Sequence, residues 1–167
     1  MTARKDPSVP DAPLVRFYDA DFLSDLSRRA ADAPRRRLNA NLHDSTSEPC
    51  QRIFNALCPD SYVQAHRHLH PDKAETVLVL RGRFGLVCFD DAGTPVETHL
   101  LQPLQTATVP SGVWHAWFAL DPDSVFFEAK AGPYLPLAPE ERAPFAPPEG
   151  SPDAPAYLAR LKALVLA

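Results

Sequence analysis

Gln64-Ala65-His66-Arg67-His68-Leu69-His70-Pro71-Asp72-Lys73-Ala74-Glu75-Thr76-Val77-Leu78-Val79-Leu80-Arg81-Gly82 is the stretch that decides how this chain reads. His66 and His68 are two apart, so on a strand both imidazoles leave the same face. Glu75 opens a run through Leu80 that reads as the next strand, and Gly82 follows at a hairpin position. Further along, His115 comes after a Pro110-Ser111-Gly112 turn and sits one residue into another strand-like run. Three imidazoles and one carboxylate form an N/O ligand set suited to a divalent transition metal. A barrel brings these strands onto one interior site.

The same period of two extends outward. Short strands are predicted over 50–58, 61–68, 75–81, 83–90, 96–101, 106–109, 114–120 and 124–130. Arg81-Gly82-Arg83 and Asp90-Asp91-Ala92-Gly93 supply turn chemistry between them. Many short strands with no helices between them indicate an all-β sandwich or barrel. A helix is expected over 19–33, capped by Asp19 or Asp21, with Phe22, Leu23, Leu26 and Ala30 as its apolar stripe. Pro34 ends it. A second helix is expected over 152–167, burying Tyr157, Leu158, Leu161, Leu164 and Val165. The stretch from Pro133 to Pro155 holds eight of the chain's nineteen prolines. Proline removes an amide donor and blocks helix interiors, so this segment is expected to wrap the barrel as an extended arm. Pro7, Pro10 and Pro13 mark a loose lead. The chain thus reads as one structural domain, with a lead and helix over 1–34, a barrel over 35–134, and an arm with a helix over 135–167.

At 167 residues the chain is long enough for a sizeable core, and its 45% apolar share is that of a globular protein. A net charge of −4 argues against a nucleic-acid partner, which calls for a basic face. The first residues have no apolar stretch behind them, and no apolar run nears the ~20 residues needed to cross a bilayer. No membrane association and a cytoplasmic location are therefore expected. Cys50, Cys58 and Cys88 are scattered and without a CxxC spacing, which reads as three small buried apolar residues in a reducing compartment.

The spacing around the histidines resembles the two motifs of the cupin superfamily. His66-x-His68, Glu75 and Gly82 are similar to the first motif, and Pro110-x-Gly112-x-x-His115 to the second. The gap between His68 and Glu75 is longer than is common, and Leu104 and Ala119 stand where Gly and Asn are usual. The resemblance implies a single jelly-roll barrel with one divalent metal (Zn, Fe, Ni or Mn) held by His66, His68, Glu75 and His115. A narrower resemblance is to the WbuC-type cupin-fold metalloproteins found in bacterial surface-polysaccharide gene clusters. It is carried by Arg35-Arg36-Arg37-Leu38-Asn39-Ala40-Asn41-Leu42-His43, Ala65-His66-Arg67-His68, Leu80-Arg81-Gly82-Arg83, Phe89-Asp90-Asp91-Ala92-Gly93, Gly112-Val113-Trp114-His115 and Phe127-Glu128-Ala129-Lys130-Ala131-Gly132-Pro133-Tyr134.

Strand parity nominates the rest of the pocket. Tyr62 and Gln64 share the parity of His66 and His68, and Trp117 shares that of His115. Arg37, Asn39, Asn41 and His43 form a polar row that is either a solvated edge or the closure of the barrel mouth. In the second case Arg37, Asn39 and His43 help bind an anionic part of a ligand. Glu128 and Lys130 alternate on the last strand with Tyr134 shortly after. They are either an outward ion pair or, facing inward, an acid and base near the metal. His70 is expected on a loop, with replacement of a metal ligand as its alternative. These features suggest a metal-dependent enzyme acting on a small oxygenated molecule such as a sugar or sugar-acid derivative, by isomerase or epimerase chemistry. A non-catalytic ligand-binding or sensing module and an iron-dependent dioxygenase are the alternatives. Exposed sheet edges and the long arm suggest a homodimer.

Overall fold

A computed structural model of the protein describes residues 15–167. The prolines of the expected lead, Pro7, Pro10 and Pro13, lie outside the described residues.

The first helix, α1 (Ala20–Asp32), begins where Asp19 accepts a hydrogen bond from the Phe22 amide. Eight strands follow: β1 (Arg37–Asn41), β2 (Cys50–Leu57), β3 (Glu75–Arg81), β4 (Phe84–Phe89), β5 (Pro95–Leu101), β6 (Thr106–Val109), β7 (Trp114–Ala119) and β8 (Ser124–Ala131). The second helix, α2 (Ala154–Leu166), ends the chain. The strands form two antiparallel sheets. One has the order β1-β2-β8-β3-β6 and the other β5-β4-β7.

The segment around His66 was expected to be a full strand over 61–68. It is instead irregular, with one antiparallel bridge to His115. Both hydrogen bonds of that bridge, between the His66 and His115 backbones, are 2.9 Å long. On its other side His66 bridges Arg142 of the Pro-rich arm. The small sheet is thus completed by a single residue on the far side of β7. The result is the two-layer β fold that the alternation predicts, arranged as the jelly roll that the resemblance implies.

Parity sorts side chains between the layers. Val77 and Val79 of β3, Phe84 and Leu86 of β4, Trp117 of β7 and Phe126 of β8 meet in one core between the sheets. The outer face of β1, β2 and β8 packs Phe54, Ala56 and Val125 against Leu26 and Ala30 of α1. The outer face of the small sheet packs Val87, Phe89, Ala116 and Phe118 against the arm and α2. The α2 stripe runs through Ala154, Leu158, Leu161 and Val165, while Leu164 lies at its edge and is 43% exposed. The arm was expected to be extended; it is irregular, with a 3-10 turn at Pro139–Glu141 and further turns at 144–146, 149–150 and 152–153, where proline favours turns over long extended runs.

Two further expectations are corrected. Gly82 does not close a hairpin, because β3 and β4 belong to different sheets. It turns the chain from one layer to the other with φ +71°, and a Cβ there would stand 2.1 Å from Ser124 Oγ. Glycine alone meets both demands. Cys58 and Cys88 are buried, but Cys50 is exposed because it starts β2 at the rim of the sheet. Among the described residues, no helix is long and apolar enough to cross a membrane.

Candidate metal centre

Tertiary pairing brings distant histidines and acids together. The His66–His115 bridge sets their ring centroids 4.6 Å apart. Glu75, the first residue of β3, faces inward and is 4% exposed. His66, Glu75 and His115 each offer a ligand atom within 4.8 Å of the others.

The imidazoles are oriented by the backbone. His66 Nδ1 lies 3.1 Å from the Gln64 carbonyl and His115 Nδ1 lies 2.9 Å from the Val113 carbonyl. A carbonyl only accepts, so both Nδ1 atoms carry the hydrogen. Both Nε2 atoms therefore keep a lone pair, as metal ligands require. His115 Nε2 is buried and has no aligned hydrogen-bond partner, although Glu75 Oε2 is 3.3 Å away. An unsatisfied buried acceptor beside a carboxylate is costly without a cation between them. Ligand atoms ~2.1 Å from an ion in tetrahedral geometry stand ~3.4 Å apart, so an ion would draw the three groups closer together. His66, Glu75 and His115 therefore fit a divalent metal.

His68 sits differently. Its Nε2 donates to Glu75 Oε1 at 2.6 Å, so that nitrogen carries a hydrogen in this arrangement. It stands at the edge of the three-residue cluster and reaches an ion only by giving up that bond.

Glu75 is also bound from the other side. Lys130 Nζ lies 2.9 Å from Glu75 Oε1 and 2.7 Å from Glu128 Oε1. Asn55 Nδ2 donates to Glu128 Oε2 at 2.8 Å. Burial alone would raise the Glu75 carboxyl, but hydrogen bonds to its oxygens and the Lys130 charge outweigh it, and its pKa is held well below the usual range. Glu128 moves the opposite way, raised by burial and then by the charge of Glu75. Burial would lower the Lys130 ammonium, yet the two glutamates more than reverse this and raise it. His66 is pushed down to about 3, first by burial and then by His115, so it is neutral near pH 7.

His66, His68, Glu75, Asn55, Glu128 and Lys130 line a cavity of about 270 Å³ between the sheets, and His115 lies behind its wall. The structure places Arg37, Asn39, Trp117, Glu128, Lys130 and Tyr134 on its wall. Glu128 and Lys130 thus face inward. Arg37 is already engaged: its guanidinium pairs with Glu149 at 2.6 Å and donates to the Tyr62 carbonyl at 2.9 Å. His43, Tyr62 and Gln64 lie off the cavity. His43 Nδ1 is 3.1 Å from the Arg52 backbone nitrogen and oxygen, Tyr62 donates to the Pro147 carbonyl, and Gln64 donates to the Ala143 and Ala146 carbonyls. The parity argument for Tyr62 and Gln64 needed a regular strand, and this segment is not one. His70 is exposed in the turn before β3. Sequence reasoning missed Asn55 and Lys73, which also line the cavity. Asn55 was detectable by parity within β2, and Lys73 lies two residues before Glu75.

The chain is similar to several solved structures. A conserved Streptococcus pyogenes protein of unknown function, SPY1581, has a TM-score of 0.50 at 15% identity, over 76% of this chain and 96% of that one. KdgF from Halomonas sp. has a TM-score of 0.46 at 16% identity, over 57% and 77%. An RmlC-like cupin family protein with a double-stranded β-helix fold, from Methanocaldococcus jannaschii, has a TM-score of 0.46 at 19% identity, over 57% and 79%. At such identities the likeness is one of fold. No curated protein matches the chain. One family model matches residues 18–101, which carry His66, His68 and Glu75 but stop short of His115. With just over half of its length matched, the chain belongs to the family described as a domain of unknown function, DUF6016.

Proposed function

We propose that this protein is a metal-dependent enzyme that moves a proton on a small, oxygenated, anionic molecule of the sugar or sugar-acid kind. One observation carries the reading: His66, Glu75 and His115 converge at the wall of a cavity that His66, Glu75 and Glu128 line, and the Glu128 carboxyl there is raised above its usual range. A divalent ion held by His66, Glu75 and His115, and by His68 once released from Glu75, would supply Lewis-acid polarisation of a ligand oxygen. Glu75 stays ionised in this scheme. Glu128, whose carboxyl is raised above its usual range, is the group placed to take a proton from a ligand carbon and to return it to the same or a neighbouring atom. Lys130 holds the two carboxylates at fixed separation, and Asn55 orients Glu128. The cavity lies just below the ~300–1,000 Å³ common for drug-sized ligands, which suits a small metabolite. Isomerase or epimerase chemistry follows from a proton carrier beside a polarising ion.

A non-catalytic binding module is favoured by a different observation. Glu75 Oε1 is already shared by His68 and Lys130, which is a closed and satisfied arrangement.

The test is deuterium exchange. Metal-loaded protein is incubated in D2O with a panel of keto sugars and sugar acids, and C–H exchange is followed by NMR. Exchange that Glu128→Gln abolishes without loss of metal is expected. If no panel member exchanges with the wild type, the enzyme reading gives way to the binding module.

A further inference from the structure

Three cationic residues line the cavity: Arg37, Lys73 and Lys130. Arg37 is paired with Glu149, and Lys130 with Glu75 and Glu128. Lys73 has no carboxylate partner among the described residues, although it is only 8% exposed. Its Nζ donates to the Pro133 carbonyl at 2.7 Å. An ammonium has three N–H donors, so two remain. Glu141, whose carboxyl feels the Lys73 charge, spends its oxygens on the Leu69 and Ala138 amides. A buried ammonium with spare donors is costly unless something else accepts from it.

A second donor points the same way. Trp117 is 5% exposed and lines the same cavity, and its Nε1–H has no hydrogen-bond partner. Two unsatisfied donors in a cavity that also holds the candidate metal ligands call for a ligand rich in oxygen. Lys73 leaves the turn before β3, where its amide donates to the His70 carbonyl, and its side chain lines the same cavity as Glu75 two residues on.

We propose that Lys73 is the anion-recognition residue of this cavity and that the ligand carries a carboxylate, with the Trp117 indole donating to a further ligand oxygen. The inference rests on the reading of the cavity as a small-molecule site and deepens it. It moves the anion-binding role from Arg37, whose charge is spent on Glu149, to Lys73. A carboxylate matches the single positive charge that the wall leaves unbalanced. Pro133 holds the ammonium in place, so little ordering remains to oppose binding.

The experiment compares acids with the corresponding neutral alcohols. Binding of glycerate and gluconate, against glycerol and glucitol, is measured by calorimetry on metal-reconstituted wild type, Lys73→Met and Lys73→Arg. Metal content is determined by elemental analysis on the same samples. The wild type should prefer each acid over its alcohol. Lys73→Met should lose about tenfold or more in acid affinity with metal retained and alcohol binding unchanged, as expected for a charge-assisted hydrogen bond. Lys73→Arg should keep part of the preference, which separates loss of charge from loss of fold. Equal acid binding in wild type and Lys73→Met overturns the proposal, as does a wild type without acid preference. If the wild type takes up no metal, the metal reading fails instead, and the same comparison on metal-free protein still decides the role of Lys73.

Discussion

Lys130 stands directly opposite Glu75 in the β3–β8 pairing, and its Nζ lies 2.9 Å from Glu75 Oε1. This cross-strand pair joins the candidate metal site to Glu128, which the same ammonium meets at 2.7 Å. It also places a buried charge network where a jelly roll would otherwise hold apolar side chains.

Breaking that pair should be expensive. Lys130→Met leaves Glu75 and Glu128 buried without their shared cation. A loss of about 3–5 kcal/mol in unfolding free energy is expected, from urea titration of metal-free protein. A loss under ~1 kcal/mol would mean that the network is more solvated than its burial indicates.

Metal content should follow the geometry of the lone pairs. His66→Ala and His115→Ala should each purify with little metal, whereas His68→Ala should retain a larger share, because His68 must first leave Glu75. Equal and full occupancy in all three variants, by elemental analysis, would remove the assignment.

Acid should destabilise the metal-free protein through His66. Its folded pKa is depressed from 6.5 to about 3, so the unfolded chain binds the extra proton between those values. The stability that His66 contributes is therefore complete above pH ~6.5 and is lost as pH falls toward 3. Urea midpoints of chelator-treated protein should decline from pH 7 to pH 4, and His66→Gln should flatten that decline. Parallel slopes in the two proteins would contradict the assignment.

Gly85→Ala tests the packing of the small sheet. A Cβ at Gly85 would stand 2.2 Å from a ring carbon of Phe118, which is 1% exposed. Overpacking of about 1–3 kcal/mol is expected, read as a lower thermal midpoint. A midpoint at or above that of the wild type would show that Phe118 can move aside.

Much of the fold could be read from local pattern. The alternation around Glu75-Thr76-Val77-Leu78-Val79 gave β3 its bounds because one face meets a core and the other does not. Asp19 marked the start of α1 because its side chain completes a hydrogen bond within the first turn. The failures lie where the partner is remote. Tyr62 and Gln64 were placed by strand parity, but their hydrogen bonds go to residues 143–147 of the arm, more than seventy positions away.

The sequence by itself determined the two-period pattern, the helix at each end, the Pro-rich arm and the residue types able to hold a metal. These depend on side-chain periodicity, proline chemistry and ligand chemistry, all of which act locally. Only the tertiary structure decided which charges are spent and which are free. Arg37 meets Glu149 from 112 residues away, while Lys73, among the described residues, meets only the Pro133 carbonyl. Glu128 and Lys130 turn inward because β8 lies between β2 and β3. Pairing partners are chosen by the packing of the whole chain, and the balance of charge in a cavity follows from those partners.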